Sequence, residues 1–274
     1  MQVKLGFTEH SFNLIVSSTS MFKNLLASVG IGAAKVDTRL FNNSVIPGGI
    51  LEGEVYIRGG DVAQDIQDIY LKLATEYQRE VDDSTVTEEC VMVNYRLLEH
   101  LTIQPKEEVV IPFSLNLPDE MPLTFGHIPV YVRTGLDIKS AINPRDRDYL
   151  EVRTHPLMQR VLLAIEHLGF HLHKVDCEYT HYFGGAYPFV QELEFRPTGK
   201  YRHSLDELEV VFRLTADQLE VLLEIDKRAR GWKGWLEEAF DIDERYARLI
   251  VKQSDLYETD VEALIDQIIQ SHLS

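Results

Sequence analysis

Five successive stretches of this chain alternate apolar and polar residues with a period of two, and this pattern constrains the fold more than any other feature. Leu51, Val55 and Ile57 alternate with Glu52, Glu54, Tyr56 and Arg58. Ile69, Leu71, Leu73, Thr75 and Tyr77 repeat the device, as do Val91, Val93, Tyr95 and Leu97. Val109, Ile111, Phe113, Leu115 and Leu117 follow, then Val130, Val132, Thr134, Leu136 and Ile138. Successive side chains of a strand point to opposite faces, so each run presents one apolar face, as a half-buried antiparallel strand requires. Pro47-Gly48-Gly49, Gly59-Gly60, Asp82-Asp83-Ser84 and Pro118-Asp119-Glu120 punctuate the runs as turns. Pro112 inside a run points to an edge strand or a bulge. The expectation is a mainly β protein, with an antiparallel β-sandwich from about Val36 to Val152.

Residues 143–156 read as a connector, opened by Asn143-Pro144 and closed by His155-Pro156. After it the period changes. Leu157, Val161, Ile165 and Leu168 share a helical face, with Pro156 at the first helical position and Gly169 at the stop. Strand-like runs resume at His171–Cys177, Phe189–Phe195, Leu208–Leu214 and Leu219–Ile225, with Thr215-Ala216-Asp217 joining the last two as a hairpin. Tyr246–Val251 reads as one more strand. A C-terminal helix carries Val261, Leu264, Ile265 and Ile268 on one stripe, and Thr259-x-x-Glu262 has the form of a capping box at its start. The expected organisation is therefore a leader at 1–20, a sandwich domain at 21–152 and a second, mixed β/α domain at 153–274. The leader is read as disordered or as an over-extended start, because a second methionine, Met21, follows it directly.

Charge excludes one class of partner. Asp and Glu number 44 against 27 Lys and Arg, for a formal charge of −17. A nucleic-acid surface needs clustered cations, and this chain has no such cluster. Leu14-Ile15-Val16 is too short for a membrane span or a signal peptide, so no integral membrane association is expected. Cys90 and Cys177 form no paired motif, which favours a reducing, cytoplasmic setting.

Several clusters are weighed for chemistry. His171, His173, Cys177 and His181 are all odd-numbered and would share a face of one continuous strand. Ten residues of strand span about 33 Å, so one ion cannot touch all four, and only His171 and His173 are neighbours. They are weak metal candidates, set against ordinary surface or core histidines; no metal or cofactor is expected. Asp241-x-Asp243-Glu244 lacks the glycine of a calcium loop and reads as a solvated helix end. Trp232, Trp235 and Phe240 lie at helical spacing, which suits either core or a partner-binding face. Phe22, Leu25 and Leu26 form a short apolar face that would dock on the chain's own core or on a partner. Arg145, Asp146, Arg147 and Asp148 alternate in sign and read as a buried polar network between domains or as an exposed, self-paired loop. No nucleotide-binding or hydrolase motif is present.

Four separated blocks carry a family resemblance. Met21 to Thr38 resembles the amino terminus of the sporulation-control protein M (stage-zero M) family. Pro47-Gly48-Gly49 with Leu51-x-Gly53-x-Val55 is similar to its first hairpin, Asn143 to Val152 to its interdomain element, and Leu222 to Arg228 to a late strand. The resemblance runs from Met21 to the end and implies an arrestin-like β-sandwich, a regulatory role in sporulation and no catalytic residues. A cytoplasmic, non-enzymatic regulator acting on other proteins is the expected function, and a homodimer is compatible with it. The competing reading is a metal-binding or hydrolytic protein built on the histidine cluster.

Overall fold

A computed structural model describes residues 32–82, 84–139, 143–180, 185–226, 246–255 and 259–273. The described residues are mostly strand. A small sheet has the order β1 (Lys35–Leu40), β3 (Ile50–Arg58) and β6 (Glu108–Asn116). A large sheet of nine strands runs β14 (Tyr246–Lys252), β13 (Gln218–Asp226), β12 (Glu207–Leu214), β11 (Phe189–Pro197), β10 (Phe170–Tyr179), β4 (Gln64–Val81), β7 (Val130–Ile138), β8 (Arg145–Tyr149). Its ninth strand, β5 (Ser84–Ile103), pairs with β4. The two-residue strands β2 (Ser44–Val45) and β9 (Glu151–Val152) pair in parallel.

The alternation read in the sequence sets the sandwich interior. Leu51, Val55 and Ile57 of β3 are fully buried, while Glu52 is exposed. Across the layer, β4 and β7 bury Ile69, Leu71 and Leu73 with Val130, Val132 and Leu136. Gly53 sits on the same inner face, opposite Phe113. A Cβ there would stand 2.6 Å from the Arg39 carbonyl oxygen and 2.9 Å from the Phe113 ring, so glycine is what lets the phenyl fill the space. Pro112 falls in β6, an edge of the small sheet.

Two features depart from the sequence expectation. The β4–β5 hairpin spans 18 and 20 residues, longer than the alternation suggested. Most of β5 is exposed on both faces, so charged residues such as Glu88 and Glu99 interrupt its pattern. Residues 145–149, expected in a connector, form a strand.

In the second half β10 to β14 make an antiparallel meander, and β12 and β13 are joined by the expected hairpin. A parallel contact, Glu178 opposite Gln78, attaches β10 to β4, so the large sheet continues across residue 152. Helix α1 (Pro156–His167) starts on His155, whose Nδ1 accepts from the Leu157 N–H, and stops at Gly169 with φ of 86°. Helix α2 (Val261–Leu273) is capped by Asp260, whose Oδ1 accepts from the Ala263 N–H at 3.0 Å. The capping residue is thus one position later than the Thr259 motif suggested, because aspartate is the stronger N-cap. The helices pack together, with the Arg160 guanidinium donating to the Thr259 carbonyl.

Candidate functional site

Strand β8 is built from alternating charge. Its register with β7 sets Asp148 opposite Val132 and Asp146 opposite Thr134, both partners completely buried. These aspartates therefore face the sandwich interior. Arg147 and Arg145, opposite Arg133 and Gly135, take the outer face. The two signs do not pair along the strand.

On the inner side the Asp146 Oδ2 accepts from the Thr38 backbone N–H at 2.6 Å. The Thr38 and Thr134 hydroxyls lie 2.5 Å apart. Just beyond, the Glu151 N–H donates to the Asn43 carbonyl and the Arg153 N–H to the Val45 carbonyl, both at 2.8 Å. Residues 145–153 thus pair with the large sheet on one side and stitch the edge of the small sheet on the other. Burial, then the charges of Asp146 and Asp37, push the Asp148 carboxyl up to about 6. Its Oδ2 is buried with no hydrogen-bond partner.

On the outer side the Arg147 guanidinium lies 4.2 Å from the centre of the Tyr131 ring. The Tyr131 hydroxyl donates to Glu89 at 2.6 Å, and Arg133 donates two bonds to the same carboxylate at 2.9 and 3.0 Å. Burial opposes charge on Glu89, but the Tyr131 hydroxyl and Arg133 outweigh it and hold the carboxyl below its ordinary value. Asp146 and Asp148 thus lie on one face of β8, and Arg145 and Arg147 on the other. They form neither a single network between domains nor a self-paired loop.

The histidines are separated by a bulge. Leu172 pairs with Phe195 and Lys174 with Glu194, leaving His173 as the extra residue. This reverses the alternation, so His171 shares the face of Glu194 while Cys177 turns to the other and is buried. His173 is exposed, with Nε2 3.9 Å from Glu194. Among the described residues no group of His, Cys, Asp or Glu has metal-holding geometry. Phe22, Leu25, Leu26, His181, Trp232, Trp235, Phe240 and the acidic stretch 241–244 lie outside the described residues.

Two polar constellations escaped the sequence reading. One is a strap between the halves. The Gln191 amide accepts from the Leu123 N–H at 2.8 Å and donates to its carbonyl at 2.7 Å, while Glu120 accepts from the Ala186 N–H at 2.8 Å. It borders a cleft lined by Met121, Met158, Tyr187 and Arg213. The other is a set of buried carboxyls on β10 to β12, Asp176, Glu192, Glu207 and Glu209. Its trace in the sequence is Glu192-x-Glu194 and Glu207-x-Glu209, a period of two like that of the apolar runs around it.

The fold and the β8 seam define a class: a β-rich protein whose small sheet is closed onto a large one by a charged strand. Residues 22–229 match the Spo0M family model, described as "SpoOM protein", and the chain belongs to that family. It is 45% identical to the sporulation-control protein Spo0M of Bacillus subtilis strain 168, over 92% of this chain and 99% of that one. The crystal structure of Spo0M from Bacillus subtilis superposes with a TM-score of 0.83 at 44% identity, covering 88% of this chain and all of that one. A Listeria innocua β-glucosidase, at 20% identity and a TM-score of 0.26, is too distant to carry an argument.

Proposed function

We propose that this chain is a regulator of sporulation that works as a non-catalytic, arrestin-like adaptor, by contact with another protein in the cytoplasm. The observation that carries the reading is identity of 45% with a sporulation-control protein over almost the whole length of both chains. The structure offers a surface suited to such contact. Among the described residues β5 pairs with β4 alone, so its other edge presents unpaired backbone groups. From Ser84 to Val91 its register is unbroken, and Val86 and Val91 are exposed there. An added strand from a partner protein takes backbone hydrogen bonds from such an edge and specificity from alternate side chains. Lysine on an edge opposes strand addition.

The test is complementation of a sporulation defect in the host by Val86→Lys/Val91→Lys. The doubly substituted protein should melt within a few degrees of the wild type and fail to restore control. Full complementation by a folded variant overturns the adaptor surface. Sedimentation separates this from pairing of two copies, which would double the mass of the wild type and leave the variant monomeric. The metal or hydrolytic reading is not retained, because the bulge at His173 divides the cluster on which it rested.

A further inference from the structure

The outer face of the large sheet across β5, β4, β7 and β8 orders its charges rung by rung. Glu76 lies opposite Glu89 at one end, and Asp68 lies opposite Glu99 and Asp137 at the other. Between them comes an apolar and aromatic rung of Val91, Ala74, Tyr131 and Tyr149. Two rungs without a carboxylate complete the face. One is Asn94, Lys72, Arg133 and Arg147, and the next is Arg96, Tyr70, Gly135 and Arg145. Cations from all four strands thus form a band about 14 Å long, three strand spacings of about 4.8 Å. Like charges directly opposite one another destabilise a sheet, and Lys72, Arg133 and Arg147 stand in one line.

Two of these cations are committed to the acidic rungs. Arg133 is bound to Glu89, and Arg96 is bound to Asp68 at 3.1 Å and to Glu99. The other three are presented outward. The Lys72 ammonium lies 4.8 Å from the centre of the Tyr70 ring, as Arg147 lies over Tyr131, and Arg145 is exposed. Both rings are fixed from below. A Cβ at residue 135 would stand 2.4 Å from the Tyr70 ring, so Gly135 is what lets that ring lie across β7. The Tyr131 hydroxyl is anchored on Glu89. Beside Tyr70 the surface is concave, lined by Lys72, Asn94 and Arg96. Tyr149, next to Arg147, is 58% exposed. Tyrosine and arginine are the side chains that most often anchor protein interfaces.

We propose that this band docks a short acidic segment of another protein, laid across the strands with its carboxylates on Lys72, Arg145 and Arg147. Charge complementarity decides the occupant. The chain as a whole carries −17 and repels acidic partners, so a carboxylate-bearing segment is attracted only where cations are gathered. The acidic rungs on either side set direction and breadth, because like charge penalises a misplaced ligand. They keep the segment on the band and turn away a broad polyanion such as nucleic acid. The length of the band matches about four extended residues at about 3.4 Å each. The site is separate from the β5 edge and stands whether or not that edge takes a strand.

The experiment is fluorescence anisotropy of a labelled peptide with four consecutive glutamates, titrated with the full chain at low ionic strength. A peptide with glutamines in their place is the control. The glutamate peptide should bind about tenfold or more tightly than the glutamine one and weaken as salt rises from about 0.05 M to about 0.5 M. Arg145→Glu/Arg147→Glu should abolish the difference. Lys35→Glu/Arg202→Glu, which alters net charge equally at exposed positions off the band, should keep most of it. If Arg147→Glu does not fold, Arg145→Glu alone reads the band, because its side chain is exposed. Equal binding of the two peptides, or equal losses for the band and control variants, would overturn the site. Tighter binding of duplex DNA than of the glutamate peptide would overturn the choice of occupant. So would a wild-type dimer in sedimentation that Arg145→Glu dissociates, since a second copy would then fill the band.

Discussion

The Asp146 carboxylate accepts a hydrogen bond from the backbone N–H of Thr38 at 2.6 Å, and this bond ties the edge of the small sheet to the last strand of the large one. Thr38 is 5% exposed, so water cannot readily replace the acceptor. Asp146→Ala would strand the donor and should cost about 1–3 kcal/mol in urea unfolding. Asp146→Asn keeps an acceptor oxygen and should recover part of the loss. Equal losses for the two would show that charge, not the acceptor, is what matters there.

Arg147 stands on the opposite face of β8, over the Tyr131 ring. Arg147→Ala and Asp146→Ala should therefore add, with a coupling below about 0.5 kcal/mol in a double-mutant cycle. A larger coupling would mean that the strand transmits between its faces.

Asp148 is held up at about 6, above the ordinary aspartate range, by burial and by Asp146 and Asp37. Its folded value exceeds its unfolded one, so its contribution to stability is lost as pH rises from about 4 through about 6. Asp148→Asn should melt higher than the wild type at neutral pH, with the difference shrinking toward acid. A variant that is less stable at neutral pH would indicate that the ionised carboxylate has a partner.

Glu89 has the opposite sign. Tyr131 and Arg133 hold its carboxyl below the ordinary value against the cost of burial. The stability it contributes is present above the unfolded value of about 4.3 and is lost as pH falls through the lower folded one. Glu89→Gln should therefore destabilise more at neutral pH than in acid, as read by the shift in melting temperature at each pH.

Gln191 clamps both backbone groups of Leu123 and so joins the halves of the chain. Gln191→Ala removes both bonds at a cost of about 1–3 kcal/mol and should raise proteolytic cleavage within residues 117–128. Unchanged cleavage would mean that packing of Met121 and Leu123 holds the strap by itself.

What the sequence determined by itself were the features in which neighbours along the chain carry the information. The alternation in β3, β6 and β7 was legible because one face of each meets the core and the other is open to polar residues. Helix α1 was legible from Pro156 and Gly169, whose effects are confined to one turn. Only the tertiary structure decided the charged positions. The face that each residue of β8 takes depends on its register against β7, and one inserted residue at His173 reversed the assignment of the histidines. The carboxyls of β11 and β12 look solvated when read along the chain, because a polar residue every second position is what an open face shows. Their burial arises from strands lying about 4.8 Å apart, a proximity that no local pattern encodes.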